Sequence, residues 1–443
     1  MTRSRRLFLK QLGAVGFAAP LFARNLFSAP PSKRVRHASF GANGMAGGDM
    51  LAFAGLPNVE LVCVAEVDTN RLDMFKKHLP DSKAKVYQDW REMLDKEGKN
   101  LDSVNVGTPD HAHAPMAMSA MQLGLHAYVQ KPLAHEIFEV RRLTETAREK
   151  KLITQMGIQI HSSPYYRLGV AVIQGEAIGK VKEVHTWSSK KWGDLDPLPE
   201  KSDPVPSNFN WDLWLGVCAT RPFIAGGYYH PGNWRKRLDF GTGTFGDMGC
   251  HIFDPVFDAL ALTAPTSVRS EGPAPNRWNW SINSIIRYEF PGTAYTEGKT
   301  VPIHWYDGDE RPSKDIQALL GTTPMPDQGS IFIGTKGVML LPHIAVPKLL
   351  PEAEFKDFQF PKVKGESHNT QFIEAVAGNG KTSTPFDYSG PLTESVLLGG
   401  VATKFPKTTL QWNAAKLEFS NVAEANQVLR RTYRAGWEVK GLS

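Results

Sequence analysis

The sequence predicts two domains of different class: an α/β domain on a parallel sheet, then an α+β domain on a mainly antiparallel open sheet. Three observations predict this. From Arg36 to about Met156, short apolar runs alternate with stretches of helical periodicity, the rhythm of βαβ units. The first of these runs delivers a glycine-rich turn to the start of a helix. Beyond Gly157 the rhythm gives way to longer strand-like runs between loops rich in Trp, Pro and Gly. A chain of 443 residues also exceeds what one small core organises. The divisions fall at 1–32, 33–156 and 157–443.

The first segment is a targeting sequence. Ser4-Arg5-Arg6-Leu7-Phe8-Leu9-Lys10 precedes a mildly apolar run from Leu12 to Ala23, too short to anchor in a bilayer. Paired arginines with Phe two positions on resemble the twin-arginine export signal, which implies the Tat machinery as a partner, export in the folded state and a periplasmic or extracytoplasmic location. Ser28-Ala29 stands before Pro30, an awkward residue after a scissile bond. Contact with the membrane is therefore expected only through this segment, if it is uncleaved. The segment also accounts for the charge. Of the net +6, five positive charges lie at Arg3, Arg5, Arg6, Lys10 and Arg24 with no acid among them, so the remainder is nearly neutral. No basic stretch with interleaved aromatics remains to suggest nucleic acid. Cys63, Cys218 and Cys250 are odd in number and far apart, and read as buried small side chains rather than disulfides or metal ligands.

The α/β elements follow in order. A strand over Arg36–Phe40 runs into Gly41-Ala42-Asn43-Gly44-Met45-Ala46-Gly47-Gly48, where backbone N–H groups at a helix start face a pyrophosphate. Gly41 fits the first fingerprint glycine; Asn43 replaces the second and Ala46 the third. Asn tolerates left-handed geometry but adds a side chain where the pyrophosphate comes close. The next strand, Val59–Ala65, ends in Glu66-Val67-Asp68. Glu66 lies 25 positions after Gly41, near the spacing at which an acid accepts the adenosine ribose hydroxyls. A carboxylate there repels a 2′-phosphate and favours NAD over NADP. These are the marks of a Rossmann domain. Strand Ser103–Gly107 then opens into Thr108-Pro109-Asp110-His111-Ala112-His113, and strand His126–Val129 into Gln130-Lys131-Pro132. Cofactor contacts are expected from Gly41, Asn43, Gly44, Met45, Glu66, Asp68, Thr108, Pro109, His113, Gln130 and Lys131. His111 and His113 form a His-x-His pair that no acid or cysteine completes, so no metal is expected.

The order of glycine turn, acid-ended strand, Thr-Pro-x-x-x-His and x-Lys-Pro resembles the Gfo/Idh/MocA oxidoreductase family, from about Arg36 to the C-terminus. The resemblance implies that Lys131 is a catalytic residue beside the nicotinamide. The family's usual glutamate before it is Gln130 here, which removes a negative charge near the lysine.

In the second domain, strands are expected at Lys182–Ser188, Ser281–Phe290 and Val301–Tyr306, and a hairpin turn at Gly334-Thr335-Lys336-Gly337. His368–Val376 and Pro391–Thr403 read as helices, which in the family pack back on the cofactor domain. The main motif is Gly241-Thr242-Gly243-Thr244-Phe245-Gly246-Asp247-Met248-Gly249-Cys250-His251. A helix beginning near Gly246 places Asp247 and His251, four apart, on one face. Asp-x-Gly-x-His matches the family's catalytic segment, completing a Lys131/Asp247/His251 set. Histidine has a pKa suited to taking a hydroxyl proton, and an ammonium suits a developing alkoxide. Tyr228, Tyr229, His230, Trp234 and Arg235 combine aromatic faces with hydrogen-bond donors and suit a sugar ring, or equally an interface or core; Tyr229, Trp234 and Arg235 are the substrate candidates, with His161 and Tyr165 upstream.

The expected function is an NAD(P)-dependent oxidoreductase of a sugar, polyol or related hydroxy compound, with tightly bound cofactor and an association through the exposed sheet face. The alternative is an NAD-dependent glycosidase that oxidises transiently with no net redox change. A non-catalytic cofactor-binding sensor is a third class, against which the Lys131/Asp247/His251 set speaks.

Overall fold

A computed structural model describes residues 34–443; the arginine-pair segment lies outside the described residues. Strands β1 (Val35–Phe40), β2 (Val59–Ala65), β3 (Lys85–Tyr87), β4 (Ser103–Val106), β5 (His126–Gln130) and β6 (Thr154–Gly157) form one sheet in the order β3-β2-β1-β4-β5-β6. All its pairings are parallel. Strands β4 and β6 are buried along their whole length, as expected where helices cover both faces. Strand order reverses between β1 and β4, and ligands of such sheets bind outside the carboxyl ends at that point.

The turn after β1 is built by glycine. Gly41 has φ +95 and Gly44 φ +57. Asn43 is not left-handed: it is extended at φ −141, ψ 169, and caps helix Gly44–Ala54 by accepting from the Gly44 N–H. Its side chain is tied aside to Arg71, whose Nη2 donates to Oδ1 at 2.8 Å, and to Asp73. The methyl of Ala46, in place of the third fingerprint glycine, fits because Gly107 faces it; a Cβ on Gly107 would lie 2.7 Å from Ala46. The close helix–strand approach survives with the glycine on the other partner.

The second sheet adds β7 (Val181–Ser188), β8 (Ser267–Ser270), β9 (Ile285–Pro291), β10 (Thr300–Asp307), β11 (Gln328–Gly334), β12 (Val338–Pro342), β13 (Lys348–Leu350), β14 (Thr409–Asn413) and β15 (Glu418–Phe419). Their order is β13-β12-β11-β7-β10-β9-β8-β14-β15. Only β7 and β10 pair in parallel, so the sheet is mixed and mostly antiparallel. The hairpin at 334–337 forms as expected. Strand β9 begins four residues later than the pattern predicts. Asn283 turns at φ +68 and the Asp307 carboxylate accepts the Ser284 N–H, which closes residues 281–284 into a turn.

Trp305 on the inner face of this sheet stacks on Phe245, 4.5 Å between centroids. Helices His368–Val376 and Phe386–Thr403 return to the first domain, where Phe372 meets Phe53 and Tyr128 edge-on. Among the described residues no helix is long and apolar enough to cross a membrane. The three cysteines are free and buried.

Candidate active site

A cleft of about 270 Å³ opens at the switch point of the parallel sheet. At one end stand the glycine turn and Glu66. Burial raises the Glu66 carboxyl, and its two oxygens accept the N–H groups of Asp68 (3.1 Å) and Ala42 (3.0 Å). Loop Thr108-Pro109 forms the floor, and Lys131, Trp234, Arg235 and His251 close the other end. Backbone curled at two positive-φ glycines, a helix N-terminus and an acid at the second strand end fit a dinucleotide laid across β1 and β4.

His113 braces the floor. Its ring nitrogens lie 2.7 Å from the Thr108 carbonyl and 2.8 Å from that of Pro132, so the ring sits between the Thr-Pro and Lys-Pro loops with its single N–H donated to one of the two carbonyls. Burial pushes it down to about 4. His111 likewise lies between the carbonyls of Trp214 (2.8 Å) and Phe240 (3.3 Å). Gln130 lines the cleft but donates from Nε2 to Asp49 at 2.7 Å. Asp49 is buried on helix Gly44–Ala54 and also accepts from Gln159 and Asn369. A carboxylate therefore lies beneath the Gln-Lys-Pro loop, contributed by another element.

The reacting end is an ionic knot. Lys131 Nζ donates to Asp247 Oδ1 at 2.7 Å and to the Asp247 carbonyl at 2.9 Å, while Arg235 Nε reaches the same Oδ1 at 3.1 Å. Burial works to raise the Asp247 carboxyl, but Lys131 and Arg235 outweigh it and hold it well below the usual carboxylate range. Asp247 sits behind the cleft wall and orients the two cations. The segment differs from the α-helix the spacing predicts: Phe245–Gly249 is a π turn, followed by a short α-helix Cys250–Ile252. Wide turns of this kind recur at functional sites. Gly246 and Gly249 permit it, since a Cβ on either would strike Thr242 or the Phe245 ring.

His251 faces the cleft with its Nδ1 buried and without a hydrogen-bond partner among the described residues. Burial pushes the imidazole well below its ordinary value, Lys131 adds to this, and Asp247 opposes it. It is therefore neutral at neutral pH.

Four of the positions singled out in the sequence lie elsewhere. Asp68 spends its carboxylate on the Asn70 N–H, on Asn208 (2.7 Å) and on His230 (3.1 Å), linking the domains rather than lining the cleft. Tyr229 is core, 2% exposed, packed against Trp211, Trp214 and Phe240. His161 belongs to a separate cluster, 3.0 Å from Asp254, which also accepts the Tyr388 hydroxyl. Burial would lower that imidazole, but Asp254 outweighs it and raises it. Tyr165 is at the surface. Conversely, Arg71, Asp110 and Trp214 line the cleft unforeseen, and His230 of the aromatic and basic stretch joins them. Asp110 is buried, accepts from Thr242 Oγ1 at 2.7 Å, and is pushed up to about 7 by burial. Its place directly after Thr-Pro was the available signal; nothing in the local sequence marked Arg71.

Comparison with known families gives two matches: residues 35–158 fit the oxidoreductase family NAD-binding Rossmann fold, and residues 180–439 fit the oxidoreductase family C-terminal alpha/beta domain. The chain belongs to the Gfo/Idh/MocA oxidoreductase family. Its first domain is thus an NAD-binding Rossmann domain. A levoglucosan dehydrogenase of Pseudarthrobacter phenanthrenivorans is 23% identical over 166 residues, 38% of this chain and 34% of that protein. A glycosyl hydrolase family 109 protein of Shewanella sp. (strain MR-4) is 31% identical over 126 residues, 27% of each chain. The aligned part thus spans about a third or less of these relatives. The fold matches that of the WlbA dehydrogenase from Bordetella pertussis, solved with NADH and UDP-GlcNAcA: TM-score 0.60, 15% identity, 86% of this chain and 99% of the other.

Proposed function

We propose that this Gfo/Idh/MocA protein is an NAD-dependent oxidoreductase acting on a CH–OH group of a sugar, polyol or related hydroxy compound. The observation that carries this is the meeting, at the end of the cleft, of an ammonium fixed by Asp247 and a neutral, partnerless imidazole. When bound, the nicotinamide supplies the acceptor for the hydrogen leaving carbon. The chain manages the proton. With Nδ1 of His251 sealed in, Nε2 is the atom left to take the hydroxyl proton. Two of the three Lys131 N–H donors go to Asp247, and the third is left for the developing alkoxide. Arg235, its guanidinium 4.2 Å above the Trp234 ring, offers a donor beside an aromatic face, a pairing suited to a sugar ring.

The family 109 glycosyl hydrolase relative favours a second reading, in which the same groups oxidise a hydroxyl transiently and the neighbouring glycosidic bond eliminates. Chromogenic glycosides and a panel of free polyols, assayed with the purified protein, separate the two. Accumulating NADH with a polyol supports the dehydrogenase; glycoside cleavage without net NADH supports the glycosidase; neither, with NAD bound, overturns both.

The proposal includes export. The paired arginines support passage through the Tat machinery after folding, a periplasmic location, and NAD retained through each cycle, in a homo-oligomer joined at the outer sheet face. Native and denaturing mass spectrometry of protein from an export-competent host tests this. A cleaved or tethered chain carrying NAD is expected; an empty protein needing millimolar NAD overturns retention.

A further inference from the structure

Far from the cleft, on the outer face of the second sheet, three side chains converge that the proposed reaction does not use. Strands β7 and β10 run parallel with His185 directly beside His304 in the register. Glu183 lies two residues before His185 and so points to the same face. The two imidazoles are 4.7 Å apart between centroids. Glu183 Oε2 is 3.4 Å from His185 Nε2 and 3.8 Å from His304 Nε2.

We propose that Glu183, His185 and His304 form a zinc site on the outer face of this sheet. Two imidazole nitrogens and a carboxylate oxygen are a donor set that zinc accepts, with a fourth position left to water. The spacing fits. Bonds of about 2.0–2.1 Å to a tetrahedral ion put neighbouring ligand atoms roughly 3.3–3.4 Å apart, close to the 3.4 and 3.8 Å from Glu183 to the two imidazoles. All three ligand atoms lie within 4.8 Å of one another.

The histidines are otherwise unexplained. They are 5% and 8% exposed, yet His185 Nε2, the atom 3.4 Å from Glu183, has no hydrogen-bond partner among the described residues. A buried nitrogen left unpaired costs about 1–3 kcal/mol, which a bound ion would offset. The Tyr306 hydroxyl lies 3.0 Å from His185 Nδ1. In the Nδ1–H tautomer that bond fixes the ring with the Nε2 lone pair toward Glu183, the support that ligating histidines use. Arg287, opposite His304 on β9, opposes a cation, but it leans toward Glu271 at 3.7 Å.

The test uses the full-length protein without an affinity tag, stripped with a chelator and titrated with Zn²⁺ alone by calorimetry, then with Co²⁺ to read geometry. One equivalent of Zn²⁺ per chain and the strong visible absorption of four-coordinate cobalt are expected. His185→Gln and His304→Gln should each weaken Zn²⁺ binding by about 10–100-fold, and Arg287→Gln should tighten it. His78→Gln, on the surface of the first domain, should leave it unchanged. Should a buried histidine variant fail to fold, Glu183→Gln decides, because its side chain is 34% exposed. Absence of stoichiometric uptake, a weak octahedral cobalt spectrum, or binding indifferent to Glu183→Gln would each overturn the site.

Discussion

Lys131 Nζ lies 2.7 Å from Asp247 Oδ1 and 2.9 Å from the Asp247 carbonyl, so one residue holds the ammonium at two points. Asp247 also takes Arg235 on the same oxygen. The lysine is thus aimed by the second domain although the first domain carries it, and assembly of the reacting end depends on domain packing.

Removing that carboxylate should damage stability and turnover together. Asp247→Ala leaves Lys131 and Arg235, both mostly buried, without their counter-charge, a loss on the order of 3–5 kcal/mol for a buried pair. Thermal melting should report it. Lys131→Ala leaves one anion facing Arg235, a milder loss, but should lower kcat by about 100-fold or more with NAD still bound. Near-normal kcat in Lys131→Ala would remove the lysine from the chemistry.

His251 sets the pH dependence. Its folded-state pKa lies below the ordinary 6.5, so the neutral, proton-accepting form persists as pH falls past that value. The acid limb of kcat/KM should therefore lie below pH 6.5, and His251→Ala should abolish turnover while leaving cofactor occupancy intact. Because Lys131 contributes to the depression, the imidazole should titrate higher in Lys131→Met, which NMR of the ring protons would show. An acid limb above 6.5 would assign the base elsewhere.

Much of this site was legible because the parallel sheet ties function to chain order. Glycine turn, Glu66, Thr108-Pro109 and Lys131 each follow a strand, and strand ends meet at the switch point whatever the loops do. The second domain obeys no such rule. Tyr229, Trp234 and Arg235 share one aromatic and basic stretch, yet Tyr229 turns into the core while the other two reach the cleft. Sequence spacing does not decide which way an irregular loop turns. Nor does an i, i+4 pattern reveal a π turn, which here depends on glycines facing Thr242 and Phe245. Asp68 looked like a second cofactor acid because its partners, Asn208 and His230, are remote in sequence.

Asp110 should make the unliganded protein less stable as pH rises. Its folded-state pKa, raised to about 7, exceeds the ordinary 3.8, so the folded state binds the proton more tightly than the unfolded chain. Stability from this group is complete below about pH 4 and is lost as pH climbs toward 7. Asp110→Asn keeps an oxygen for the Thr242 hydroxyl without the buried charge. It should raise stability at pH 8 by an amount on the order of a few kcal/mol, seen as a higher melting temperature, and hardly change it at pH 4. Equal shifts at both pH values would show that the carboxyl is not the titrating group.

Tyr229 separates packing from recognition. It stands one residue before His230, in the stretch that reaches the cleft, but its ring packs 5.2 Å from Trp211 and 5.4 Å from Phe240. Truncation to alanine should cost about 3–5 kcal/mol, as for other buried aromatics. Tyr229→Phe keeps the ring and should leave KM for the substrate unchanged. Trp234 lines the cleft beneath Arg235, and Trp234→Phe should raise KM with a smaller loss of stability. Denaturant melts and steady-state kinetics on the three variants give opposite patterns for the two positions. A KM increase in Tyr229→Phe comparable to that in Trp234→Phe would return Tyr229 to the substrate site.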